Sequence, residues 1–140
     1  MNLKFTLAYD GSLFQGSQKQ PNGMTVEDKL LKAFKKINIE TNIVLSGRTD
    51  KEVHATGQVF NCVVPDFWQD FFKLKDILNK NLPSSIKILR IQKVKDDFHS
   101  RFHAKKRVYR YLITTKPTTP FNNKFITHIK NVDEELLQKA

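Results

Sequence analysis

The chain holds one cysteine, Cys62, so no internal disulfide can staple it. Cys62 lies in an apolar, strand-like run and reads as a small buried hydrophobe in a reducing compartment. Long apolar runs are also missing. No segment approaches the ~20 residues that a membrane-crossing helix needs. The N-terminus has neither a long apolar stretch nor a cleavage site for secretion, so the expected location is the cytoplasm. There is no P-loop, no dinucleotide-binding glycine pattern, no internal repeat and no low-complexity segment. Acidic residues are scarce: 14 Asp and Glu face 24 Lys and Arg, a formal net charge of +10. That balance favours a polyanionic partner, nucleic acid ahead of a membrane surface. A basic protein with no such partner would have the same composition.

The patterning is that of a small mixed domain. Leu3, Phe5, Leu7 and Tyr9 alternate with Lys4, Thr6 and Ala8, which predicts a strand. A glycine-containing loop follows, from Gly11 to Gly23. Thr25 with Asp28 three residues on resembles a capping box, and Val26, Leu30, Ala33, Phe34 and Ile37 share one helical face. Short strands are predicted at 43–45, 58–64 and 86–94. A second helix carrying Phe71, Leu74, Ile77 and Leu78 should end before Pro83. Arg107 to Thr114 reads as one more strand, with Arg107, Tyr109, Tyr111 and Ile113 on one face. The order β-α-β-β-α-β plus an additional strand predicts an α+β, ferredoxin-like sandwich. It leaves one sheet face uncovered, while the fold alone does not assign a function. Residues 1–115 are expected to form this domain. Residues 116–140 read as a linker and the start of a helix from Val132, capped by Asn131 and carrying Leu136 and Leu137.

The run Ser46-Gly47-Arg48-Thr49-Asp50-Lys51-Glu52-Val53-His54-Ala55 sits between two predicted strands, where reactive groups often lie. It places one carboxylate beside three groups that can bind an anion or tune an acid: Arg48, Lys51 and His54. The same composition also fits an Asp in a plain Asx-turn among surface cations. From Lys87 to Lys116 ten basic residues are opposed only by Asp96 and Asp97, with Phe98, Phe102, Tyr109 and Tyr111 interleaved. Cations there could grip phosphates and aromatics could stack on bases, or the segment could be a solvated hairpin. His99 and His103 are four apart, but no acidic or Cys ligand accompanies them, so no metal site is expected.

Residue order takes the reading further. The Ser46–Ala55 run resembles the catalytic motif of the TruA-type tRNA pseudouridine synthases, (A/S)GRTDKGVHA, at nine of ten positions, with Glu52 where the family usually has Gly. Tyr9-Asp10-Gly11 and Gly16-Ser17-Gln18-Lys19-Gln20 are similar to the family's YDG…GWQRQ opening. Leu82-Pro83-Ser84-Ser85-Ile86 resembles its LP-x-x-I element. Phe98 to Ala104, followed by Tyr109-Arg110-Tyr111, resembles its FHARF-x-A…Y-x-Y segment. The likeness covers nearly the whole chain and implies the N-terminal half of the pseudouridine synthase fold, the second half being absent.

The resemblance implies an isomerase that converts uridine to pseudouridine at positions 38, 39 and 40 of the tRNA anticodon arm, without a cofactor, as a homodimer. It implies Asp50 as nucleophile or base, Arg48 as its ionic partner and a base-displacing group, and Tyr109 as the active-site aromatic, with Tyr111 left to packing. RNA contacts are expected from Lys19, Lys51, His54, Arg101, Lys105, Arg107 and Arg110. A chain lacking the second half is expected to be inactive or weak. The other class that fits is a non-catalytic RNA-binding domain of the same fold. Two departures stand out: Ser17 replaces a Trp, and Glu52 would be strained if its position needs a positive φ.

Overall fold

The computed structural model describes residues 1–21, 23–133 and 135. It divides into two compact units, Met1–Lys105 and Lys106–Ala140. The first is organised by β1, Asn2–Tyr9. Because strand side chains alternate, Leu3, Phe5, Leu7 and Tyr9 all enter the core. The antiparallel strand β3, Ala55–Val63, sets Phe60 opposite Phe5 and Cys62 opposite Leu3. On the other side β4, Ile86–Lys93, runs antiparallel and sets Ile91 opposite Phe5. A two-residue strand, β2 (Val44–Leu45), pairs antiparallel with β3, giving the order β2-β3-β1-β4. The fold is thus mixed α/β, an antiparallel sheet with two helices.

Helix α1, Val26–Lys35, starts where the sequence signals it. Thr25 Oγ1 accepts from the Asp28 N–H at 3.2 Å, and the Asp28 carboxylate accepts from the Thr25 N–H at 3.2 Å, so two otherwise orphaned donors are satisfied. Its apolar face puts Val26, Leu30, Ala33 and Phe34 in the core. Helix α2, Phe71–Asn81, is capped by Asp70, buries Leu74 and Leu78, and stops before Pro83. Phe5 stacks on Phe60 with centroids 4.5 Å apart, and Phe34 meets both rings edge-on at 5.7 and 6.4 Å. Burial pushes the Cys62 thiol up to about 12, which keeps it inert.

Two amides pin the segment after β4 across the sheet. Asn61 Nδ2 donates to Asn2 Oδ1 at 3.0 Å, and Asn61 Oδ1 accepts from the Ser100 N–H at 2.8 Å. Asn2 Nδ2 donates to the Phe98 carbonyl at 2.9 Å.

The second unit departs from expectation. The strand predicted over Arg107–Thr114 is reduced to β5, Ile113–Thr114, paired in parallel with β6, Thr127–His128, in a separate two-stranded sheet. Residues 105–113 are exposed throughout. Alternation tells which residues share a face, but a strand also needs a neighbouring edge for its backbone, and within this segment only Ile113–Thr114 has one, in β6. Tyr111, expected to pack, is 90% exposed for the same reason. The helix expected from Val132 falls largely on residues 134 and 136–140, outside the described residues.

Removing the central ring tests this core. Phe60→Ala should cost about 3–5 kcal/mol of unfolding free energy in a denaturant titration. A loss under about 1 kcal/mol would place the core elsewhere.

Candidate active-site loop

The Asp50 loop, residues 46–54, leaves β2 and enters β3, and three elements hold it down. From β3, Gln58 Nε2 donates to the Gly47 carbonyl at 2.7 Å, and Gln58 Oε1 accepts from Ser46 Oγ at 2.9 Å. From β1, the Tyr9 hydroxyl meets Thr49 Oγ1 at 2.8 Å. The register of β1 against β3 shifts between Leu7 and Tyr9, an irregularity common beside functional sites. Burial raises the Tyr9 phenol above its ordinary range, and hydrogen bonds with Thr49, Gln58 and Ser17 oppose that rise.

The third element is the loop from Gly11 to Ser17. Ser17 is fully buried. Its Oγ accepts from the Thr49 N–H at 2.8 Å, and its own N–H donates to the Thr49 carbonyl at 3.0 Å. Gly16 has φ of 101°, and a Cβ there would lie 2.9 Å from the Thr49 oxygen. At Gly11 the fit is tighter, since a Cβ would lie 2.0 Å from the Val53 oxygen. Both glycines are required by this approach.

His54 faces the same loop. Its Nδ1 lies 3.0 Å from the Gly11 nitrogen and 3.2 Å from Asp10 Oδ1. One nitrogen cannot accept from the first and donate to the second at once. The direction of the backbone N–H is fixed, so Nδ1 is assigned as the acceptor and the ring proton sits on Nε2. Asp10 Oδ1 accepts instead from the Ser12 N–H at 3.0 Å and Ser12 Oγ at 2.7 Å. The Asp10 N–H donates to the Ser85 carbonyl at 2.9 Å, which brings the Leu82–Ile86 element beside the loop.

Asp50 and Arg48 are both exposed on this loop. Among the described residues no ion pair joins them, so the pairing expected of Arg48 is not formed in this structure. Lys51 Nζ lies 3.4 Å from Glu52 Oε1, an exposed pair of small energetic weight. Glu52 has φ of 66°, so a side chain occupies the left-handed region that Gly enters freely.

The other predicted residues are spread more widely. Lys19 is exposed, and its backbone N–H donates to Glu27 Oε2 at 2.8 Å. Arg101 and Lys105 are exposed on the segment pinned by Asn2 and Asn61. That anchor lies at the Asn2 end of β1, about 20 Å along the strand from Tyr9 at ~3.3 Å per residue. Tyr109, Arg107 and Arg110 belong to the second unit and are exposed there. Sequence reasoning missed Tyr9, Thr49 and Gln58 as parts of the site. Tyr9 ends β1, Thr49 lies in the loop itself and Gln58 lies within β3; Tyr9 and Thr49 fell inside the motifs of the sequence, but nothing local marked the three as partners. Among the described residues no three metal-ligating side chains cluster, and no helix is long and apolar enough to cross a membrane.

The profile of the tRNA pseudouridine synthases matches residues 6–103, which contain β1 from Thr6 onward, β2 to β4, both helices and the Asp50 loop. The chain belongs to the tRNA pseudouridine synthase family. Curated relatives agree. The chain is 37% identical over 134 residues to the tRNA pseudouridine synthase A of Wolinella succinogenes, covering 96% of this chain and 53% of that protein. It is 42% identical over 118 residues to the enzyme of that name in Helicobacter pylori, covering 84% and 48%. Against that of Streptococcus pyogenes it is 36% identical over 141 residues, covering 98% and 56%. The chain therefore spans about half the length of the synthases it matches.

Substitutions at two positions test the loop geometry. Glu52→Gly should stabilise the fold by up to about 1 kcal/mol by relieving the left-handed backbone, whereas Glu52→Ala should not. Gly11→Ala should destabilise by at least about 1–3 kcal/mol, because backbone must move to admit the methyl. Thermal unfolding of the three variants checks both; a neutral Gly11→Ala would refute the close approach.

Proposed function

We propose that this chain carries the catalytic part of a tRNA pseudouridine synthase acting on the anticodon arm at positions 38, 39 and 40. The observation that carries the reading is an exposed carboxylate, Asp50, on a loop immobilised from three sides in a member of this family. Its four-stranded antiparallel sheet, with the order β2-β3-β1-β4 and helices between β1 and β2 and between β3 and β4, supports the ferredoxin-like description.

The chemistry suits such a site. In the isomerisation the N1–C1′ bond breaks, the C5–C1′ bond forms, and one proton moves from C5 to N1. Nothing is oxidised and no group is transferred, so no cofactor is required. Asp50 acts as nucleophile or base and must then depart. A carboxylate left open to solvent by its neighbours is accessible to an incoming uridine. Arg48, on the same loop, supports a base-displacing role and pairs with Asp50 once RNA excludes water. Tyr109 stacks on the displaced uracil. Lys19, Lys51, His54, Arg101, Lys105, Arg107 and Arg110 supply the phosphate-facing charge. As in the sequence reading, the working protein is a cytoplasmic homodimer.

The test is pseudouridine formation on an unmodified anticodon-arm RNA, with Asp50→Asn alongside. Turnover by the wild type that falls at least ~10³-fold in Asp50→Asn, with RNA affinity unchanged, supports the reading. Equal turnover in both sinks the assignment of Asp50. Salt-sensitive RNA binding without turnover, persisting when the chain is joined to the C-terminal half of a curated relative, favours an RNA-binding domain instead.

A further inference from the structure

We propose that Thr49, held by Ser17 and Tyr9, is the positioning device for Asp50. The proposal rests on Asp50 being the reacting carboxylate. Among the described residues no hydrogen bond or ion pair engages the Asp50 side chain, so its direction is set by where the backbone places its Cα. The residue immediately before it is held at every polar group. All three polar atoms of Thr49 are engaged: its N–H by Ser17 Oγ at 2.8 Å, its carbonyl by the Ser17 N–H at 3.0 Å, and its hydroxyl by the Tyr9 hydroxyl at 2.8 Å.

The two partners are themselves anchored. The Gly16 carbonyl accepts from the Val26 N–H at 3.2 Å, and the Ser17 carbonyl accepts from the Glu27 N–H at 3.0 Å. These donors belong to the first turn of α1, which has no intrahelical acceptors for them. Thr49 is thus referenced to a helix start through Ser17 and to the central strand through Tyr9. Burying these polar groups is unfavourable unless they satisfy one another. A hydroxyl at the fully buried position 17 is therefore explained by the Thr49 N–H that it caps. Ser17 stands where the sequence suggested the loss of a large family side chain; here the small residue lets its Oγ reach that donor.

Displacement of a reacting group by about 1 Å can cost ~10²-fold in rate. The experiment compares Thr49→Val, Thr49→Ser, Ser17→Ala and Asp50→Asn in the whole chain. It measures single-turnover pseudouridine formation on anticodon-arm RNA, RNA affinity, and backbone order at Asp50 by nitrogen-15 relaxation. Thr49→Val and Ser17→Ala should each lower the rate ~10–100-fold with RNA affinity within about twofold, and Thr49→Ser should recover most of the rate. The Asp50 order parameter should drop from ~0.85 toward 0.6 in Thr49→Val and not in Thr49→Ser. Full turnover in Thr49→Val while Asp50→Asn is dead overturns this proposal alone. Full turnover in Asp50→Asn overturns the functional reading on which it rests. If the wild-type chain does not turn over, the order parameter decides: an unchanged value at Asp50 in Thr49→Val overturns the proposal.

Discussion

Two backbones approach so closely at the Asp50 loop that no Cβ fits between them. At Gly11 the added atom would sit 2.0 Å from the Val53 oxygen, and at Gly16 it would sit 2.9 Å from the Thr49 oxygen. This contact makes the loop part of the domain rather than an excursion from it. Residues 11–17 can lie there because β1 ends at Tyr9, two residues before Gly11, and α1 receives the chain at Thr25 with its first donors aimed at Gly16 and Ser17. The sheet and α1 are in turn fixed by the stack of Phe5 on Phe60 with Phe34 edge-on. Burial of apolar side chains supplies the driving force, and the loop inherits its rigidity through hydrogen bonds that are mostly shielded from water.

The electrostatics complement that rigidity. The loop's own contacts use Thr49, Ser46, His54 and the main chain, and leave Asp50 and Arg48 exposed. Lys51 faces Glu52 in a pair that water screens. A carboxylate fixed in position but open to solvent suits a group that must meet a substrate, react and be released. The positive φ at Glu52 shows that the turn accepts local strain to hold this geometry.

Much of the scaffold was legible in the sequence because its signals are local. The alternation from Leu3 to Tyr9, the Thr25–Asp28 capping box and the Pro83 stop each state their own element, and each stands close to where it was predicted. Conditional readings fared as their conditions dictated: the possible strain at Glu52 is present because the position does take a positive φ. What failed was non-local. The pattern from Arg107 to Thr114 gave a strand two faces but no partner, and only Ile113–Thr114 is paired. Arg48 and Asp50 were expected to form an ion pair, yet both are exposed and no ion pair joins them among the described residues. The clamp on Thr49 was invisible because Tyr9, Ser17 and Thr49 are 8 and 32 residues apart, and only the folded chain brings them together.

Amide hydrogen exchange on the wild-type chain tests the central claim most directly, because an immobilised loop opens only with the structure that holds it. The account predicts that the N–H groups of Ser17 and Thr49 exchange nearly as slowly as those of Phe5 and Phe60 in the central strands. Exchange at Thr49 several orders of magnitude faster than in β1 and β3, at the rate of an open surface loop, would contradict it.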